Sequence, residues 1–155
     1  MNLPVPNRIV SGVLIALLLF GAVTSFGGAV LAIAFDGAGV PKEWLANSPF
    51  TSYLMPGLIL GVIVGGTQLV AAIALLARRH WALLMAAIAG FGMMTWIFVE
   101  LAIILQYSFL QTLYFGLGGL ELILVLVLLE LVPGIVTSWR GTPDIARRSK
   151  KWDSP

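Results

Sequence analysis

The stretch PGLILGVIVGGTQLVAAIALLARRH, residues 56–80, decides the fold. Between Pro56 and the Arg78-Arg79-His80 break it carries no charged side chain. At 1.5 Å of rise per residue, positions 57–77 are long enough as a helix to cross about 30 Å of hydrocarbon. Three more apolar runs of similar length flank it, at residues 9–35, 81–105 and 113–136. The breaks between them carry turn and charge signals. Asp36-Gly37, Pro41, Ser48-Pro49 and Pro56 mark the first loop, Arg78-Arg79-His80 the second, and residues 106–111 the third. Pro133-Gly134 ends or kinks the last run.

The composition agrees. Of 155 residues, 59% are hydrophobic and only 10% charged, with a mean hydropathy of +1.00, and a water-soluble domain of this length does not carry that balance. The expected fold class is therefore an all-α membrane protein. Residues 1–138 form a four-span membrane domain and residues 139–155 a basic tail. The absence of cysteine excludes disulfides, thiolate metal sites and a cysteine nucleophile.

Charge placement gives the direction. Of nine Lys and Arg residues, eight (Arg8, Arg78, Arg79, Arg140, Arg147, Arg148, Lys150, Lys151) fall on one side of this topology and Lys42 alone on the other. The positive-inside bias then predicts an antiparallel four-transmembrane-helix bundle with both termini cytoplasmic; a bacterial inner (plasma) membrane is the expected location. A cleaved signal peptide ending at Ala32-Ile33-Ala34 is the competing reading of the first run. That run is too long and its amino-terminal charge too weak to favour cleavage.

Small residues recur at helical spacing. Gly57, Gly61, Gly65 and Ala72 fall within about 80° of arc at 100° per residue, and Gln68 lands inside it. Ala82, Ala86 and Gly90 repeat the device in span three, and Gly21, Ser25 and Ala29 in span one. Lipid supplies no hydrophobic force between helices, so close backbone approach at small residues is a principal source of packing energy. These seams are expected to pack the spans on one another or on a partner chain.

Glu100, Glu121 and Glu130 sit in spans three and four, and no Lys, Arg or His lies in the hydrocarbon part of a span to neutralise them. A charge at the bilayer centre costs about 2.5–3.5 kcal/mol, against about 0.3–0.6 returned per Leu, Ile, Val or Phe. The run LILVLVLL after Glu121 is enough to carry one carboxyl into the membrane, but that carboxyl still needs a partner. Glu130 lies near the basic tail and reads as a snorkelling surface charge. Glu100 follows Ala82 by about five whole turns and shares its face. Glu121, about 12 Å into span four, and Gln68, about 16 Å into span two, are near-level. A neutral Glu121 could donate a hydrogen bond to the Gln68 amide oxygen. Two readings stand: Gln68, Glu100 and Glu121 fasten helices, or the carboxyls carry protons, bind cations or meet a partner's Arg or Lys.

The first loop, VPKEWLANSPFTSY at residues 40–53, places Trp44, Phe50 and Tyr53 where aromatics anchor at the headgroup level or form an external cap. The tail cations Arg147, Arg148, Lys150 and Lys151 suit anionic lipid headgroups better than nucleic acid. The sole histidine, His80, lies in a charged turn, and no metal-ligand spacing or phosphate loop occurs. No enzyme, metal or cofactor is expected.

The size and the membrane glutamates look superficially like the small multidrug resistance exporters. Those place their glutamate in the first span, whereas the acids here lie in spans three and four. The segments SYLMPGLILG, RRHWALL, TWIFVELAIILQYSFLQ and YFGLGGLE, within residues 9–138, resemble small four-span actinobacterial membrane proteins of no known activity. That resemblance implies architecture alone. The expected function is an accessory or scaffolding subunit of a larger membrane complex or homo-oligomer. The alternative is a small proton- or cation-coupled transporter using Glu121 and Glu100.

Overall fold

The computed structural model describes residues 7–37, 39–46, 48–104 and 107–129, and no strand occurs among them. Glu130, Pro133-Gly134 and the basic tail lie outside the described residues. Helix α1 spans Asn7–Ala34, followed by a single 3-10 turn, Lys42–Leu45. The second span is composite: α2 over Leu54–Leu58, a π-helical segment over Ile59–Gly65, then α3 over Gly66–Leu76. Helices α4, Ala82–Ile104, and α5, Phe109–Leu128, complete the described helices. Four stretches, Arg8–Ala34, Leu54–Leu76, Ala82–Ile103 and Phe109–Leu128, are long and apolar enough to cross a membrane.

Local chemistry sets the ends of these helices. Asp36 closes α1 in the left-handed region (φ 47°), and Gly37, also at positive φ, donates its N–H to the Ala32 carbonyl at 3.2 Å. Arg78 repeats the motif after α3 (φ 51°), with Arg79 N–H bonded to Ala74 at 2.9 Å and Arg78 N–H to Leu75 at 3.1 Å. Both are Schellman endings, which satisfy carbonyls the helix leaves open.

Two starts fall three or four residues earlier than the sequence reading placed them. Span two begins at Leu54, with Pro56 inside its first turn, where a missing N–H costs no helical bond. Helix α5 begins at Phe109 because Ser108 and Gln111 form a reciprocal cap: Leu110 N–H donates to Ser108 Oγ at 3.3 Å and Ser108 N–H to Gln111 Oε1 at 2.8 Å. Gln111, read from sequence as loop, is therefore helical and buried.

The spans form a ring in chain order, α1 against span two, span two against α4, α4 against α5, and α5 back against α1. At the end carrying the Arg78-Arg79-His80 turn, alanines close the core. Ala71, Ala72, Ala86 and Ala89 are fully buried around Leu14 and Leu18. Large side chains such as Val23, Val62, Phe91 and Phe98 project outward, as a lipid-facing surface requires. The opposite end, under residues 35–53, is more open.

Candidate functional site

The small-residue seams of spans one and two interlock in register. A Cβ added at Gly57 would meet Ala32 Cβ at 2.8 Å, one at Gly61 would meet Ala29 Cβ at 2.8 Å, and one at Gly65 would meet Ser25 Cβ at 3.2 Å. One step further along the ladder, a Cβ at Gly21 would meet the Gln68 side chain at 3.0 Å. Four-residue spacing overshoots one α-helical turn by about 40°, and the wider π turn, with its i→i+5 bonding, takes up that drift. The π segment thus keeps all three glycines on α1 while Gln68 reaches the centre of the ring.

Span three meets span four through a second close approach. A Cβ at Gly90 would lie 3.0 Å from the Gly118 carbonyl, and one at Gly118 would lie 2.8 Å from the Gly90 carbonyl. Ala82 and Ala86, on the same α4 face, are buried. Gly118 is the reciprocal partner of Gly90. It lies about one turn before the acid.

At the level Gly118 sets, Glu121 and Gln68 meet across the diagonal of the ring. Gln68 Nε2 donates to Glu121 Oε2 at 2.9 Å and lies 3.9 Å from the Met93 sulfur. Both side chains are fully buried. Each also keeps one oxygen with no hydrogen-bond partner, Oε1 of Gln68 and Oε1 of Glu121. Buried polar atoms of this kind are uncommon and expensive. One proton on the carboxyl, bonded to the amide oxygen, is the smallest addition that would complete both groups, because an amide and a neutral acid have complementary donors and acceptors.

Above this pair, toward the 35–53 loop, lies a cavity of about 730 Å³. Ser25, Val64 and Met93 line its inner end, and Met93 stands between it and the buried pair. Glu100, about two turns along α4 from Met93, is half-buried in the wall, with the Gln111 side chain as its neighbour. Glu100 and Glu121 are therefore not one cluster. The cavity separates them, and no group of three His, Cys, Asp or Glu side chains suited to a metal occurs among the described residues.

The first loop covers the cavity. Trp44, Phe50 and Tyr53 all line it, and the Tyr53 hydroxyl donates to the Pro41 carbonyl at 2.9 Å. Lys42 pairs with Asp36 on the exposed side of the loop. The hydrogen bond and charge of Asp36 raise the Lys42 ammonium above its ordinary value. Burial, and then the charges of Asp36 and Glu43, push the Tyr53 phenol up.

Sequence reasoning missed Met93, Trp96 and Gln111 as cavity residues. For Gln111 the Ser108-x-x-Gln111 pattern was a usable signal. For Met93 and Trp96 there was none, because an apolar residue in an apolar span carries no mark of what it faces. The chain matches no protein-family model, no curated protein and no solved structure.

Proposed function

We propose that this chain is a small proton-coupled transporter of the bacterial plasma membrane, a non-enzymatic antiparallel bundle with both termini cytoplasmic. The observation that carries the reading is the buried Gln68 and Glu121 pair, with one orphaned oxygen on each partner, set beneath a cavity. A carboxyl at that depth has two states of very different cost. Protonated, it satisfies the amide. Deprotonated, it is an anion with a single N–H donor in an apolar core. Ligand and proton can be coupled because Met93 touches both the cavity and the pair. The eight-to-one cation bias supports the orientation. The ladder from Gly21 and Gln68 to Ala32 and Gly57 supports opposed directions for spans one and two. On this orientation the tail cations meet anionic lipid headgroups on the cytoplasmic side.

The test is reconstitution in liposomes under an imposed pH gradient. Supplied with a transported cargo, wild-type protein dissipates the gradient, and Glu121→Gln, which keeps a polar partner for Gln68 but no titratable group, does not. Equal proton movement in the two would overturn the proposal.

The second reading is the accessory subunit, which packs on a larger membrane protein or on its own copies. The seams first expected to serve it are covered within the chain. Its support is instead Gly92 on α4 with Gly116 and Gly119 on α5, where an added Cβ would meet nothing within 4 Å. Such positions admit a neighbouring helix backbone. Extraction in gentle detergent yields a defined complex or oligomer on this reading, and Gly116→Leu with Gly119→Leu breaks it. A monomer without partners removes it.

A further inference from the structure

The chemistry of the cavity wall identifies the class of ligand. Its volume of about 730 Å³ lies within the range of about 300–1,000 Å³ typical of small-molecule sites. Among the described residues that line it there is no Lys, Arg or His, and Glu100 is the only carboxylate. Much of the polar remainder is already engaged. Thr24 donates to the Phe20 carbonyl at 2.7 Å, Tyr53 to Pro41, Ser108 caps α5, and Gln111 Oε1 receives the Ser108 N–H. What the wall offers a guest is one carboxyl group and a set of aromatic side chains, Trp44, Phe50, Trp96 and Tyr114, the last of them stacked on Phe20. A carboxylate with aromatic rings around an apolar volume favours a cation, through charge pairing and through the ring quadrupoles.

The approach to the cavity has the same sign. Lys42 and Asp36 neutralise one another on the exposed side of the loop, which leaves Glu43, whose charge acts on the cavity residue Tyr53. A net negative charge beside the mouth raises the local concentration of cations.

We propose that the cavity binds a lipophilic organic cation, an ammonium or phosphonium with an apolar body, with Glu100 as its counter-ion. The inference rests on the transporter reading above, whose cargo it names. Anions are disfavoured, since no described residue of the wall carries a positive group. A neutral lipid would leave the Glu100 charge without a function in binding.

The experiment uses full-length purified protein in detergent and two probes of matched shape and opposite charge, tetraphenylphosphonium and tetraphenylborate. Intrinsic fluorescence reports binding, because two of the five tryptophans, Trp44 and Trp96, line the cavity. Tetraphenylphosphonium quenches saturably, tetraphenylborate does not, and the saturable part disappears in the Trp44→Phe/Trp96→Phe double variant. Glu100→Gln weakens phosphonium binding by about tenfold or more, as expected when a charge-assisted contact is lost, and Glu100→Asp retains most of it.

Saturable borate binding of equal affinity overturns the proposal with wild-type protein alone. So does unchanged phosphonium affinity in Glu100→Gln. The two proposals fail separately: loss of this one with proton movement intact leaves the transporter without a named cargo, and binding without any proton movement leaves a cation-binding membrane protein.

Discussion

Replacing Gln68 with leucine is the most direct perturbation of the buried pair. The side chain contributes one donor at 2.9 Å to Glu121 and has no exposed surface. Leucine is close to glutamine in size, so the substitution removes polarity with little change in volume. Glu121 then has no partner, and a buried polar group left unsatisfied costs about 1–3 kcal/mol. Glu121→Leu strands the amide in the same way and falls in the same range. The double variant strands neither group, and replacing both partners of a buried hydrogen bond by apolar groups of similar shape is nearly neutral. With single costs of about 1–3 kcal/mol each and a nearly neutral double variant, the cycle should therefore show a coupling of about 2–6 kcal/mol. The assay is reversible unfolding in mixed micelles against the mole fraction of sodium dodecyl sulfate, followed by tryptophan fluorescence and far-ultraviolet circular dichroism. If the double variant loses as much stability as the two single variants together, the groups do not interact and the site has been misread.

Three further outcomes follow from the geometry. Gly118→Ala places a methyl 2.8 Å from the Gly90 carbonyl, which cannot move without parting α4 from α5, whereas Gly116→Ala meets nothing within 4 Å. In the same unfolding assay the first should cost about 1–3 kcal/mol, the overpacking range, and the second should be neutral or stabilising by up to about 1 kcal/mol, the helical preference for alanine; equal effects would refute the close approach. The folded values of Lys42 and Tyr53 both lie above their ordinary 10.5 and 10.0, so the folded loop retains its protons longer than the unfolded chain does. Its stabilisation is then complete below about pH 10 and fades as pH climbs through the raised values. In an ultraviolet difference titration against Tyr53→Phe, Tyr53 should ionise above a free phenol, and ionisation at or below that value would contradict its burial. Because the chain lacks cysteine, single cysteines report topology cleanly: Lys42→Cys in intact cells should react with an impermeant maleimide and His80→Cys only after permeabilisation, and the reverse pattern would invert the orientation.

Some of this was legible in sequence for a local reason. An apolar run of about 20 residues in lipid must satisfy every backbone N–H and C=O within itself, which leaves the helix as its form. The glycine ladder of span two and the depth match of Gln68 with Glu121 were legible for a similar reason, since both depend only on rise and rotation along one helix. The start of α5 was misplaced because the turn signals of Gln106 to Gln111 outweighed the cap formed by Ser108 and Gln111. For Glu100, nothing in its own span could reveal that it lines a cavity separate from Glu121.

The amino-acid sequence by itself therefore determined four spans, their small-residue faces and the scarcity of charge around three glutamates, because each is a property of one segment in a known solvent. Only the tertiary structure decided that span two widens into a π turn, that its glycines are consumed by α1, and that Gly90 and Gly118 clasp α4 to α5. It also decided that Gln68 meets Glu121 across the ring beneath a cavity. Those features depend on the relative rotation and spacing of whole helices, and in a bilayer, where apolar side chains gain nothing by choosing one neighbour over another, the fit of small residues and the placement of a few polar groups settle that arrangement.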